Sequence, residues 1–163
     1  MFQASVPPIL SRLETLSAIL DKGAAFAAEQ GIDPAELIEA RLAPDMFPLA
    51  RQVQIASDIT KGGVARLAGV EAPSWPDEEA SFPELKERLA NTRSFIETIG
   101  AEQIDGSEDR AITVPAGAHQ LHFRDQAYLL DFVLPNLYFH MTAAYLILRH
   151  KGVDVGKSDF LGL

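Results

Sequence analysis

Leu134-Pro135-Asn136-Leu137-Tyr138-Phe139-His140-Met141-Thr142-Ala143-Ala144-Tyr145, running on to Gly152, is the stretch on which the fold turns. It reads as a long apolar helix with marked ends. Pro135 has no N–H and its ring crowds the preceding turn, so a kink or restart is expected there. Gly152 stops the helix, and Arg149, His150 and Lys151 complement the negative end of its dipole. Inside lies one histidine, His140, with Asn136 four residues earlier on the same face. Two histidines at that spacing are half of a metal site. An imidazole and a neutral amide are something weaker.

Moving outward, the same helix is expected to begin near Asp125. Ahead of it the period changes. Ile112-Thr113-Val114-Pro115 and His119-Gln120-Leu121-His122-Phe123 alternate around Ala116-Gly117-Ala118, the pattern of a small β-hairpin. Two strands alone are marginal, so the hairpin must lean on the helices. Three further amphipathic helices precede it. In the first, expected after Ser5, Ile9, Leu13, Leu16 and Leu20 form one stripe that ends at Gly31. A short helix follows, with Asp33 as N-cap and Pro34 at its first position. The second long helix is expected from Asp45 to Leu67, with Gly69 as its stop, and its Arg51, Gln54, Asp58 and Lys61 share a polar face. An acidic linker with Pro73, Trp75 and Pro76 comes next, Trp75 being its expected anchor. Ser81-Phe82-Pro83-Glu84 is a capping box opening the third helix, whose inner stripe is Leu85, Leu89, Thr92, Ile96 and Ile99. The tail from Val153 is expected to be extended and to pack back on the helices. The architecture expected is all-α: a four-helix bundle with a hairpin insertion before the last helix, in a single domain spanning residues 1–163.

Composition bounds the function classes. The chain has 163 residues, 47% of them hydrophobic, enough for a substantial core. Its net charge of −9 repels phosphate backbones and anionic lipid, so neither nucleic acid nor a membrane surface is an expected partner. There are no cysteines, which excludes disulfides, thiolate catalysis and thiolate-bound zinc. No run reaches the roughly 20 apolar residues that span a bilayer. No basic-then-apolar leader opens the chain, and a cytoplasmic location is the expectation.

Several side chains invite a chemical reading, each beside a plainer one. Neutral imidazole at His140 suits zinc, nickel or iron, and bundle cores host such sites. Equally, His140 is a hydrogen-bonded core histidine, and Asn136 caps the break that Pro135 makes. Gln54, Asp58 and Arg51 either face inward, where Asp58 could orient His140, or form a solvated or ion-paired face. His119 and His122 lie at odd spacing in a strand, on opposite faces. Tyr138 and Tyr145 are core or interface residues by default. Gly62-Gly63 inside a helix costs roughly 1 kcal/mol per residue against alanine, which close approach of another element would offset. Neither a phosphate-cradling glycine loop nor a strand–Ser–helix elbow is present.

Three blocks carry a family resemblance: Arg41-Leu42-Ala43-Pro44-Asp45-Met46-Phe47-Pro48 with Gln52-Val53-Gln54, the Leu134–Val153 stretch, and Gly156-Lys157-Ser158-Asp159-Phe160-Leu161-Gly162. Together they resemble a bacterial domain family of unknown function, similar to the DinB/YfiT-like four-helix bundles. That resemblance implies a divalent-metal site of three histidines, one on helix two and an H-x-x-x-H pair on a later helix. It also implies thiol-dependent transferases and isomerases as relatives, and frequent dimers. By the family's spacing to the terminal glycine, His140 holds the second position of the pair. Asn136 then falls at the first position and Gln54 at the helix-two position, so one ligand is kept and two are replaced by amides. The leading expectation is therefore a bundle with a degenerate metal site, leaving a polar small-molecule pocket around Gln54, Asp58, Asn136 and His140. No cofactor is expected, with zinc, nickel or iron at His140 as the alternative. The rival functions are a metal-dependent or His140-based transferase or hydrolase acting on a small thiol adduct, and a non-catalytic interaction protein. A homodimer is the expected assembly.

Overall fold

A computed structural model describes residues 1–163, the side chain of Ala116 excepted. Its elements in order are α1 (Phe2–Gln30), α2 (Pro34–Ile38), α3 (Leu49–Ala68), α4 (Phe82–Glu97), α5 (Ala101–Ile104), β1 (Ala111–Ala116), β2 (His119–Arg124), α6 (Asp125–Ala127), a π-helical turn (Tyr128–Val133), α7 (Leu134–His150) and α8 (Lys157–Leu161). The fold is mostly helical, with one small antiparallel hairpin before the last long helix. None of its helices is long and apolar enough, among the described residues, to cross a membrane.

The stripes read from the sequence make the core. Ile9, Leu13, Leu16 and Leu20 of α1 and Leu85, Leu89, Thr92 and Ile96 of α4 are all fully buried. They pack with Val53 and Ala56 of α3 and Leu137, Met141 and Leu148 of α7. The α3–α7 seam encloses Gln52 and His140. Gly63 lies on α3 where it meets the π-turn. A Cβ there would come within 2.7 Å of Val133 Cγ1, so the close approach expected for this glycine is real.

Four boundaries differ from expectation, each for a local reason. α1 begins at Phe2, before its two prolines, because Asp105 accepts the Phe2 N–H at 2.8 Å and supplies a cap from far along the chain. The carbonyls that Pro7 and Pro8 leave unpaired belong to exposed Gln3 and Ala4, where water can serve them. α3 begins at Leu49 rather than Asp45. Residues preceding Pro48 are held out of the helical region, and Pro48 itself takes an extended cap conformation. At Pro135 there is no break in the helical backbone, and α7 restarts at Leu134 with the proline in its first turn. A widened π turn precedes it, and Asn136 Nδ2 donates to the Phe132 carbonyl at 2.7 Å. The tail is not wholly extended, since α8 forms after Gly156. Arg12 of α1 holds α8 by donating to the carbonyls of Phe160 and Leu161, both at 2.9 Å.

The capping box at α4 is present in modified form. Ser81 Oγ accepts from Glu84 N at 3.4 Å, while the Glu84 carboxylate reaches back to Ala80 N at 2.9 Å. The hairpin pairs Ile112 with Phe123 and Val114 with Leu121, closing through Gly117 at φ 60°. Ile112 and Val114 turn inward to the helices, which supplies the support two strands need.

Candidate functional site

Two polar clusters flank α3, and the candidate residues divide between them. The first faces the 70–81 linker. At its centre is Arg88 of α4, with its side chain 1% exposed. Each N–H of its guanidinium has an acceptor. Nε donates to Ser57 Oγ at 3.2 Å, and Nη1 to the Pro76 carbonyl at 3.0 Å and Glu79 at 2.8 Å. Nη2 meets Asp58 and Asp77, both at 2.9 Å. Burial alone would lower the Arg88 pKa, but hydrogen bonding to Glu79 and the charges of Asp58 and Glu79 outweigh it and raise it. Lys61 pairs with Asp58 at 3.0 Å and lies 3.9 Å from the centre of the Trp75 ring. Arg51 pairs with Asp77, and Gln54 donates to Glu79 at 2.9 Å. Gln54 and Asp58 thus belong to a charged clamp that fastens the linker across α3 and α4, and Trp75 is the anchor it was expected to be.

The second cluster faces α7. His140 Nδ1 lies 2.7 Å from Gln52 Oε1, with both residues buried. Gln52 Nε2 donates to the Phe47 carbonyl at 3.1 Å. A carbonyl can only accept, so this contact fixes which end of the Gln52 amide faces the histidine. The amide oxygen faces His140, Nδ1 must carry the proton, and the Nε2 lone pair is left over. Nε2 has no hydrogen-bond partner among the described residues and is not among the atoms sealed from solvent. Burial, then the nearby Arg51 charge, pushes the His140 pKa below its ordinary value. The ring is therefore neutral at pH 7, with one basic nitrogen unspent.

A family model described as Domain of unknown function (DUF1993) matches residues 1–161. The chain belongs to the DUF1993 family. No curated protein matches it. Among solved structures it is similar to a DinB family member protein from Shewanella denitrificans, crystallised at 1.83 Å resolution. The two share 39% identity over 99% of this chain and 92% of that one, with a TM-score of 0.93. The DinB-like resemblance drawn from the three sequence blocks is thereby established.

In this DUF1993 chain the residue brought against His140 is Gln52, two positions before the Gln54 that the sequence comparison put there. The helical phase explains the difference. Leu49, Gln52, Val53, Ala56 and Thr60 share one flank, whereas Arg51, Gln54, Asp58 and Lys61 turn toward the linker, beneath which Gln54 and Lys61 are also buried. That phase was readable from the apolar spacing and would have singled out Gln52. Asn136 shares a helix face with His140, yet its amide N–H₂ is spent on the Phe132 carbonyl. No three His, Cys, Asp or Glu side chains cluster as a metal would need among the described residues. One imidazole with two amides, one amide oxygen already hydrogen-bonded to that imidazole, is a donor set that does not fit a divalent ion.

The remaining histidines of the DUF1993 chain stand apart. His119 and His150 are exposed, and His122 Nδ1 lies 3.1 Å from Thr113 Oγ1 across the hairpin. Tyr145 packs edge-on against Phe160, while Tyr138 is exposed beside Phe139.

Proposed function

We propose that this DUF1993 protein is a four-helix bundle that works without a bound metal, binding a small molecule at a polar centre formed by Gln52 and His140, with Asn136 alongside. The observation that supports this reading is the Gln52–His140 hydrogen bond. It sets a neutral amide oxygen against His140 Nδ1 and leaves Nε2 as a single acceptor. A ligand presenting one N–H or O–H donor would complete the site. Gln54 and Asp58 contribute indirectly, by fixing the position of α3. The direct test is metal analysis of untagged protein purified without chelators, paired with His140→Gln. Metal content far below one equivalent, unchanged by the substitution, is the expected result. Stoichiometric zinc, nickel or iron that disappears in His140→Gln would overturn the proposal.

The rival enzymatic reading draws on the same lone pair. A neutral histidine with a depressed pKa and a fixed tautomer is suited to act as a general base, in a transferase or hydrolase acting on a small thiol adduct. It would require turnover that follows the ionisation of His140 and is lost in His140→Gln. Self-association in the cytoplasm also remains part of the proposal. The feature favouring it is an exposed apolar strip in which Phe139 is 61% and Leu146 43% exposed, edged by Leu42 and Met46. Light scattering at twice the monomer mass, reverting to monomer in Phe139→Glu, is the expected outcome; a monomer at all concentrations would refute it.

A further inference from the structure

Between α3, the hairpin and the π-turn lies a cleft of about 280 Å³, bordered on one side by Arg51 and Asp58 of the charged clamp. Its walls are apolar: Ile55 and Ile59 of α3, Val114 of β1 and Phe132 of the π-turn. Phe132 is held in a three-ring cluster, stacked on Tyr128 with centroids 5.6 Å apart and tilted against Phe123 at 5.5 Å. The widened π turn brings Tyr128 and Phe132 onto this one side, and such turns recur at functional sites.

The polar end of the cleft is Arg66 with Tyr128. Arg66 folds back along its own helix, and Nη1 donates to the Gly62 carbonyl at 3.0 Å and to Tyr128 Oη at 3.3 Å. Gly62 makes room for this arrangement, since a Cβ there would stand 2.8 Å from Arg66 Nη1. The second glycine of the Gly62-Gly63 pair thus meets a neighbouring element, and the first one seats an arginine. Among the described residues no carboxylate lies within ion-pair distance of Arg66, although the chain carries a net charge of −9. Arg66 is solvent-exposed, and its Nε–H and Nη2 donors have no protein partner among the described residues, so a ligand in the cleft would compete only with water for them. Tyr128 is 1% exposed, and its oxygen already accepts from Arg66, so its own proton is free to be donated. Burial raises the Tyr128 pKa against the opposing charge of Arg66, which keeps that proton in place at neutral pH.

Donors with no matching acceptor, at the end of an apolar cleft, define an anion with an apolar body. Two further rim residues set its charge. Arg51 is already paired with Asp77, and Asp58 with Arg88 and Lys61. One uncommitted cation beside a carboxylate rim suits a single negative charge and disfavours the near-double charge of a phosphate monoester. We propose that this cleft binds a small monocarboxylate with an aromatic or branched aliphatic body, its carboxylate received by the Arg66 guanidinium and the Tyr128 hydroxyl. Neither His140 nor Gln52 lines this cleft, so its test is separate from that of the reading above.

The test uses the full chain with benzoate, benzamide and phenyl phosphate as probes, followed by methyl and arginine Nε–H NMR shifts. Benzoate should shift the methyls of Ile55, Ile59 and Val114 and the Arg66 Nε–H in one saturable transition. Arg66→Gln should weaken benzoate by about tenfold or more, the loss of a charged hydrogen-bonding partner. Gly62→Ala, which touches no ligand but displaces Arg66, should weaken it as well, with both variants melting as cooperatively as the parent. Benzamide should bind more weakly than benzoate. Absence of saturable shifts at these residues, equal benzoate affinity in Arg66→Gln, or tighter binding of phenyl phosphate would each overturn the proposal.

Discussion

On one flank of α3, toward the linker, Arg51, Gln54, Asp58 and Lys61 meet Arg88, Asp77 and Glu79 in a network where the central guanidinium has every donor satisfied. On the other flank, toward α7, Gln52 meets His140 alone, and one ring nitrogen keeps its lone pair. The residues on the two flanks are interleaved in sequence, yet they do different physical work. The charged flank has spent its central donors: every N–H of the Arg88 guanidinium already has an acceptor. The neutral flank is open by one acceptor. Density of charged residues therefore points away from the proposed ligand-binding position in this chain, and toward the place where an irregular segment must be held against two helices.

The largest effect should come from breaking the charged flank. Arg88→Met leaves Glu79, Asp58 and Asp77 facing one another and Ser57 short of a partner. Breaking a buried ion-pair network by removing one partner costs about 3–5 kcal/mol, and the partial exposure of the two aspartates places this case near the lower end. Urea denaturation should show that loss, and the Trp75 fluorescence should report release of the linker. A loss below about 1 kcal/mol would mean that the clamp is an ordinary surface network.

Next in size is the α3–π-turn contact that keeps the seam tight. Gly63→Ala places a methyl 2.7 Å from Val133 Cγ1, an overpacking of the kind that costs about 1–3 kcal/mol. Gly63→Ala combined with Val133→Ala should recover part of that loss. Equal destabilisation in the single and double variants would show that the glycine is there for another reason.

The smallest effect belongs to the open flank and appears in pH dependence. Burial depresses the folded-state pKa of His140 relative to the unfolded chain. The unfolded state then binds more protons in the window between the two values, so stability from this group is whole above about pH 6.5 and is lost as pH falls through the folded value. His140→Gln should flatten that part of the stability curve. An unchanged slope would place His140 in contact with water rather than in the seam.

Much of this was legible in the chain, and the rest was not for identifiable reasons. The stripes Ile9-Leu13-Leu16-Leu20 and Leu85-Leu89-Thr92-Ile96 are local periodic signals, and they are buried as read. The stops at Gly31 and Gly69 and the hairpin turn at Gly117 depend on backbone conformations that glycine favours, with φ of 64°, 70° and 60°. The start of α1 was not legible, because its cap is Asp105, more than a hundred residues away. Arg88 was half legible. It lies on the flank of Leu85, Leu89 and Thr92, so a buried position followed from spacing, but its partners sit in a linker with no periodicity to place it. His140 was singled out correctly as the histidine inside the helix, and its partner was missed by two residues. The motif drew attention to Gln54, while the apolar phase of α3 pointed to Gln52.

The protonation state of the His140 ring at pH 7 decides between an open acceptor and a spent one, and long-range ¹H–¹⁵N correlation of the imidazole measures it directly. The expected spectrum has a protonated Nδ1, hydrogen-bonded to Gln52, and an Nε2 with the shift of a bare lone-pair nitrogen, and Gln52→Leu should abolish this preference. A protonated Nε2 with a bare Nδ1, or a doubly protonated ring at pH 7, would contradict it.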